Sequence, residues 1–274
     1  VFFTGCNLQC AYCQNFAISR ICNDSEGIIV GRTVSVQELS EIFLDLQKQG
    51  AVNINLVTAF MFMPGILNAL DLAKSNGLTI PVVYNSSGYE SVELLKAMEG
   101  YIDIYLPDLK YVSADLASEL SNAPDYPEVA KAAIAETIRQ TKTIVRHLVL
   151  PGHVKESKRV LSYLAETYVE LITKQKDTAK NADLTRGQDS DCTKRLQISI
   201  MSQYTPVEKA LQSAYLKQQE DQLRVHPELQ RRVTKREYDR VVDYAIELGI
   251  TNAYIQDRAV ATESFIPEWE WNER

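Results

Sequence analysis

The chain has 274 residues, 45% of them hydrophobic and 24% charged, with a formal net charge of −7 and an isoelectric point near 5.2. That size and balance suit one large domain with a sizeable core, and the acidic surplus argues against a dominant nucleic-acid footprint, which needs a basic face. No run approaches the roughly 18 consecutive apolar residues of a membrane span and no basic leader opens the chain, so the expected setting is cytoplasmic, with neither nucleic acid nor membrane among its partners.

In chain order, Val1 to Thr4 reads as a strand already under way at the first residue, and the sequence is therefore expected to be an N-terminally truncated domain. The loop after it carries Cys6, Cys10 and Cys13 in the string Thr-Gly-Cys-Asn-Leu-Gln-Cys-Ala-Tyr-Cys. Thiolates are the ligands of iron–sulfur clusters, and a four-iron cubane held by three of them leaves its fourth iron for an exogenous ligand. A closed zinc site wants four ligands. Only Cys22, Cys192, His147, His153 and His226 remain to supply one, all of them outside the motif. Five cysteines, three of them clustered, do not form the even, dispersed framework of a secreted disulfide scaffold, so the compartment reads as reducing.

Beyond the cysteines, short apolar or β-branched runs alternate with longer amphipathic stretches, the pattern of repeated βα units with parallel strands. Strands are predicted at Asn53–Thr58, Ile80–Tyr84, Ile102–Leu106, Ile144–Leu150 and Ile198–Met201, with Ala253–Ile255 as a last one. Ser35 with Glu38, and Thr234 with Glu237, match the capping box that satisfies orphan donors at a helix start. Gly50, Gly77 and Gly249 stand where helices should end in the left-handed conformation. His153 reads as a satisfied structural histidine. Lys174 to Lys194, polar and without aromatics, reads as an exposed insertion, and Lys217 to Arg236 as a solvated helical face. No second domain boundary shows, so 1–274 is taken as a single core domain with an insertion at about 174–194.

The C-x3-C-x2-C loop, with Tyr12 just before its last cysteine, resembles the signature of the radical S-adenosylmethionine (SAM) superfamily. The resemblance implies a partial (β/α)6 TIM-like barrel, a 4Fe-4S cluster on Cys6, Cys10 and Cys13, and S-adenosyl-L-methionine chelated at the open iron. Barrel active sites gather at the C-terminal ends of the strands, and the strings found there resemble the pyruvate formate-lyase activating enzyme group in particular. Tyr84-Asn85-Ser86-Ser87-Gly88 is similar to a turn that approaches SAM, which makes Asn85 and Ser87 candidates; an Asx or serine turn is the structural alternative. Leu106-Pro107-Asp108-Leu109-Lys110 is similar to an Asp-Leu-Lys signature. There Asp108 would accept from SAM or its ribose and Lys110 answer its carboxylate, against the alternative of a simple ion pair. Arg146 or His147, in a stretch similar to Arg-x-x-x-x-Pro-Gly, would face SAM; alternation lets only one of them point inward. Tyr12 completes the candidate set. Thr58 to Pro64 departs from the group: Phe60 to Met63 replace a polar segment, either as packing at the barrel top or as an apolar substrate groove.

What the resemblance implies is an oxidoreductase that cleaves SAM reductively and abstracts hydrogen through a 5′-deoxyadenosyl radical. Its target would be a glycine of a partner glycyl-radical enzyme, and its electron donor a flavodoxin or ferredoxin. The alternatives are the same chemistry on a small molecule or another peptide site, and a catalytically silent, metal-stabilised binding domain.

Overall fold

The computed structural model describes residues 1–19, 31–181, 195–206 and 225–256, without the side chains of Ala17 and of 172–181. Cys22, Cys192 and the late stretch from Asp257 onward lie outside the described residues. Six parallel strands, β1 (Ile54–Val57), β2 (Val82–Ser86), β3 (Ile104–Pro107), β4 (Lys142–Leu148), β5 (Leu196–Met201) and β6 (Ala253–Ile255), lie side by side in sequence order. Parallel neighbours require a crossover between them. These are supplied by α3 (Met63–Ser75), α4 (Val92–Ala97), α5 (Ala114–Ser121) with α6 (Tyr126–Gln140), α7 (Val154–Asn181) and α8 (Lys235–Glu247). A short α1 (Phe16–Ser19) and α2 (Val36–Lys48) precede β1. No ladder among the described residues joins β6 back to the first segment, so the sheet is an open, partial TIM-like barrel.

Val1 to Thr4 forms less than a full strand. It meets β1 through a single parallel bridge between Phe2 and Val57, flanked by bonds from Phe3 N–H to Val57 O and from Val57 N–H to Val1 O. β2 starts at Val82, not Ile80, because Pro81 has no N–H to give a ladder.

Both predicted capping boxes form. Ser35 and Glu38 satisfy one another's backbone at the start of α2, and Thr234 and Glu237 do the same for α8. Gly50, Gly77 and Gly249 take positive φ at the ends of α2, α3 and α8. In α8 the buried residues Tyr238, Val241 and Ala245 fall at i, i+3 and i+7, one stripe of an otherwise charged helix. Within the stretch read as an insertion, residues 174–181 instead continue α7 to Asn181. Within Lys217 to Arg236, the described residues 225–236 hold a 3₁₀ turn, Pro227–Gln230, and the first two residues of α8. No helix among the described residues is long and apolar enough to cross a membrane.

Burial alternates along β1, β3 and β4. In β4, Thr143, Val145 and His147 are buried under the helices, while Lys142, Ile144, Arg146 and Leu148 line the inner face and are only partly covered. The same rule turns Asn85, Leu106 and Ser199 inward and puts Tyr84, Tyr105 and Ile200 in the core. The packed core thus lies between sheet and helices. The concave inner face, carrying polar side chains at the strands' C-terminal ends, is left for chemistry.

Candidate active site

The cysteine loop is pinned at the C-terminal end of the sheet by backbone bonds to a distant helix. Gln9 N–H donates to Ser121 O at 3.0 Å and Ala11 N–H to Leu120 O at 2.8 Å, so the loop lies along the end of α5. Gly5, at φ +91°, bonds to Ile18 O and closes the loop on α1. Gln14 reaches Gln203 O after β5, and Asn7 donates to Tyr89 O after β2. One short loop is thereby held by the segments that follow β2, β3 and β5.

The three thiols share a neighbourhood. Cys10 is buried and accepts from Ser121 Oγ at 3.1 Å, and Cys13 Sγ lies 3.4 Å from Ser19 Oγ. Burial pushes the Cys10 thiol up to about 11; the Lys110 ammonium opposes this, while Cys13 and then Cys6 add to it. Cys10 is therefore a neutral thiol in the cluster-free chain, and a metal must displace its proton to bind. Three thiols on one loop, with a lysine charge at hand to offset an anionic cluster, are a donor set that fits a three-cysteine iron–sulfur site.

Beside the cysteines, Asp108 binds two cations at once. Its Oδ2 meets Lys110 Nζ at 2.6 Å and its Oδ1 meets Arg146 at 2.6 Å through Nη2 and 2.9 Å through Nε. Burial works to raise the Asp108 carboxyl, but Arg146 and then Lys110 outweigh it and hold it below the usual range. Burial likewise disfavours the Lys110 ammonium, and Asp108 more than compensates. Asp108 and Lys110 do lie on one side of the chain, where they pair with each other, with Arg146 added from β4.

The structure also separates Arg146 from His147. Arg146 is on the inner face, bridged in register to Asp108. His147 points the opposite way into the helix layer, where Nδ1 donates to Leu109 O at 2.8 Å and Nε2 accepts from Ser157 Oγ at 2.9 Å. Burial lowers its pKa, so it stays neutral, and with both nitrogens engaged it serves packing and not the inner face. Tyr12 is likewise buried in the core, its hydroxyl 2.5 Å from that of Tyr111 and its ring tilted against Tyr204. Asn85 sits on the inner face of β2. Ser87 Oγ donates to Asn7 Oδ1 at 3.2 Å and accepts from Tyr89 N–H at 3.3 Å, a serine turn that also reaches the cysteine loop. In the segment after β1, Ala59 and Met63 are fully buried, while Met61 and Phe62 remain exposed and Phe62 stacks on Phe3. Phe60 to Met63 thus combines packing with an exposed apolar ledge.

Several residues that position the site carry no local signal in the sequence. Tyr126 Oη accepts from Lys110 N–H at 3.0 Å and shares its proton between the carbonyls of Ser87 and Asp108, at 2.9 and 2.8 Å. It clamps the turn after β2 onto the exit of β3. Gly88 lets the two approach: it has φ +79°, and a Cβ there would fall 2.1 Å from Asp108 O. Gly88→Ala is therefore expected to cost about 2 kcal/mol or more in urea denaturation through left-handed strain and displacement of the turn. Unchanged stability would contradict this close approach. Glu90, buried beside the same turn, accepts from Ser86 Oγ at 3.0 Å.

Comparison with known proteins agrees with this geometry. The Radical SAM superfamily profile matches residues 1–164. The uncharacterized protein MJ0674 of Methanocaldococcus jannaschii is 26% identical over 254 residues, 93% of this chain, which spans 63% of that relative's length. Among solved structures, Streptococcus suis SuiB bound to its precursor peptide SuiA superposes with a TM-score of 0.54 at 12% identity, over 93% of this chain and 48% of SuiB. SuiB bound to S-adenosylmethionine gives 0.54 at 14%, over 96% and 52%. Native anSMEcpe with bound AdoMet gives 0.52 at 13%, over 92% and 62%. These likenesses are of fold. With the superfamily profile spanning more than half of the sequence, and with it the three-cysteine loop and the strand ends that face it, this chain belongs to the radical SAM superfamily.

Proposed function

We propose that this chain is the catalytic core of a radical SAM oxidoreductase of the pyruvate formate-lyase activating enzyme-like kind, working in the cytoplasm. Members of the superfamily use a 4Fe-4S cluster and SAM, and that pair, when bound, supplies a 5′-deoxyadenosyl radical for hydrogen abstraction. Cys6, Cys10 and Cys13 are the residues that would hold the cluster. Asn85, Ser87, Asp108, Lys110 and Arg146, at the strand ends beside them, would hold SAM. The observation that carries the reading is the convergence of the three-thiol loop with the Asp108–Lys110–Arg146 cluster at one end of the sheet.

The protein's own work there is to bind, orient and exclude water. Arg146 presents a planar cation on the inner face suited to a carboxylate, while Asp108 fixes its direction. Lys110 balances negative charge at Cys10. The polar inner face is the part of the fold left open to substrate.

The substrate proposed is a glycine of a partner glycyl-radical enzyme, with electrons from a flavodoxin or ferredoxin. The Asp-Leu-Lys and Arg-containing stretches similar to the activating enzymes support it, since they form one ion network. A second reading, modification of another peptide site, is favoured by the exposed Met61 and Phe62 beside Phe3. It also accords with the fold likeness to SuiB, which was solved with a precursor peptide. Anaerobic incubation with SAM and reductant is expected to release 5′-deoxyadenosine, and coexpression with the glycyl-radical partner to yield a stable protein radical. Release of 5′-deoxyadenosine without that radical would overturn the glycine assignment alone; no release at all would overturn the enzyme.

A further inference from the structure

His153, His226 and Glu228 come together from distant parts of the chain, outside the cysteine loop and unused by the proposed chemistry. His153 follows the turn Pro151–Gly152 at the end of β4; His226 and Glu228 belong to the 3₁₀ segment before α8. His153 Nε2 lies 2.9 Å and His226 Nδ1 3.1 Å from the same oxygen, Glu228 Oε1. One ligand atom from each of the three residues falls within 4.8 Å of the other two. The rings are 5.9 Å apart and tilted.

The surroundings are built to hold these groups still. A Cβ at Gly152 would fall 2.7 Å from Glu228 Cγ, so only glycine lets the glutamate lie over the turn. Gly152 N–H donates to Glu237 Oε1 at 2.8 Å, which ties the turn to the start of α8. Tyr204 Oη donates to Leu229 O at 2.5 Å, fixing the residue next to Glu228. On its other side His226 Nε2, shielded from solvent, lies 3.3 Å from Glu119 Oε2 on α5 without an aligned hydrogen bond.

Two imidazole nitrogens and a carboxylate oxygen that converge this closely form a donor set one cation can share. Imidazole and carboxylate are ligands for zinc and its neighbours, a carboxylate on the far nitrogen of a ligating histidine fixes its tautomer, and three protein ligands are completed by water. We propose that His153 Nε2, His226 Nδ1 and Glu228 bind a divalent transition-metal ion, Zn²⁺, with Glu119 as the acceptor that orients His226. The ion would clamp the β4–α7 turn to the segment before α8. Through Glu119 it would also brace the end of α5, where Ser121, two residues on, donates to Cys10.

The test is equilibrium dialysis of the full, cluster-loaded chain against micromolar zinc sulfate, with zinc and iron counted together. About one zinc per chain beyond the cluster iron is expected, together with a zinc-dependent rise in melting temperature. His226→Gln and Glu228→Gln should each abolish the stoichiometric zinc and the thermal shift while keeping the iron. Glu119→Gln should weaken zinc roughly 10- to 100-fold. The Cys6→Ala, Cys10→Ala, Cys13→Ala triple variant should keep the zinc. His226→Gln with native circular dichroism but no zinc-dependent shift separates lost binding from lost folding. Zinc retained by His226→Gln, zinc lost in the triple cysteine variant, or no zinc on the parent chain would each overturn the proposal.

Discussion

Asp108→Ala is expected to destabilise the chain by about 3–5 kcal/mol, the cost of leaving buried charges without their partner. Asp108 and Lys110 are each 16% exposed and Arg146 22%, so water reaches none of them well. Removing the carboxylate strands an ammonium and a guanidinium side by side, and their repulsion adds to the desolvation already incurred. The contrast is with Lys48 and Asp45, 74% and 61% exposed at 3.1 Å, where loss of the pair should change stability by no more than about 0.5 kcal/mol. Urea denaturation of the two variants compares them directly. The double variant Asp108→Ala, Arg146→Ala should recover part of the loss, since one of the stranded charges is gone. Equal, small effects for the buried and exposed pairs would show that the Asp108 cluster is solvated and not the fixed feature described here.

Glu90→Gln should stabilise the protein in mild alkali. Glu90 is 4% exposed, and burial is the first cause that lifts its carboxyl to about 7; the bond from Ser86 opposes the rise and Asp108 adds to it. A carboxyl whose folded pKa lies above its unfolded one contributes stability that is complete below about pH 4.5 and is lost as pH climbs through about 7. A shift of this size corresponds to about 3 kcal/mol lost by pH 8. Glutamine keeps the shape and has no proton to lose, so the variant should show a flatter stability profile between pH 5 and 8 and exceed the parent at the alkaline end. Parallel profiles would mean that Glu90 is ionised throughout and better solvated than its burial implies.

The frame was legible because parallel strands covered on one face by helices read as short apolar runs, and because capping residues act within four positions of one another. Ser35 with Glu38 and Thr234 with Glu237 are such local devices, and they form as the pattern predicts. Strand ends were less legible, since they depend on neighbours: Pro81 delays β2, and pairing with Ile104 of β3 extends β4 back to Lys142. The cysteines were visible through spacing alone. Arg146 and His147 could not be told apart until a register placed one against Asp108 and the other against Ser157, because alternation gives two faces without saying which is inner. Tyr126 and Ser121 were invisible for a plainer reason. Ser121 meets Cys10 across 111 residues and Tyr126 meets Ser87 across 39, and no local pattern encodes such contacts. The union of His153 with Glu228 spans 75 residues and escaped for the same cause.

Anaerobic electron paramagnetic resonance of the reconstituted, reduced protein, with and without SAM and repeated on Cys10→Ala, tests the central claim most directly. The predicted result is a reduced four-iron signal that changes when SAM is added and is absent from Cys10→Ala. A cluster signal indifferent to SAM, or the same signal surviving in Cys10→Ala, would contradict the assignment of this loop and the strand ends beside it as the site of radical SAM chemistry.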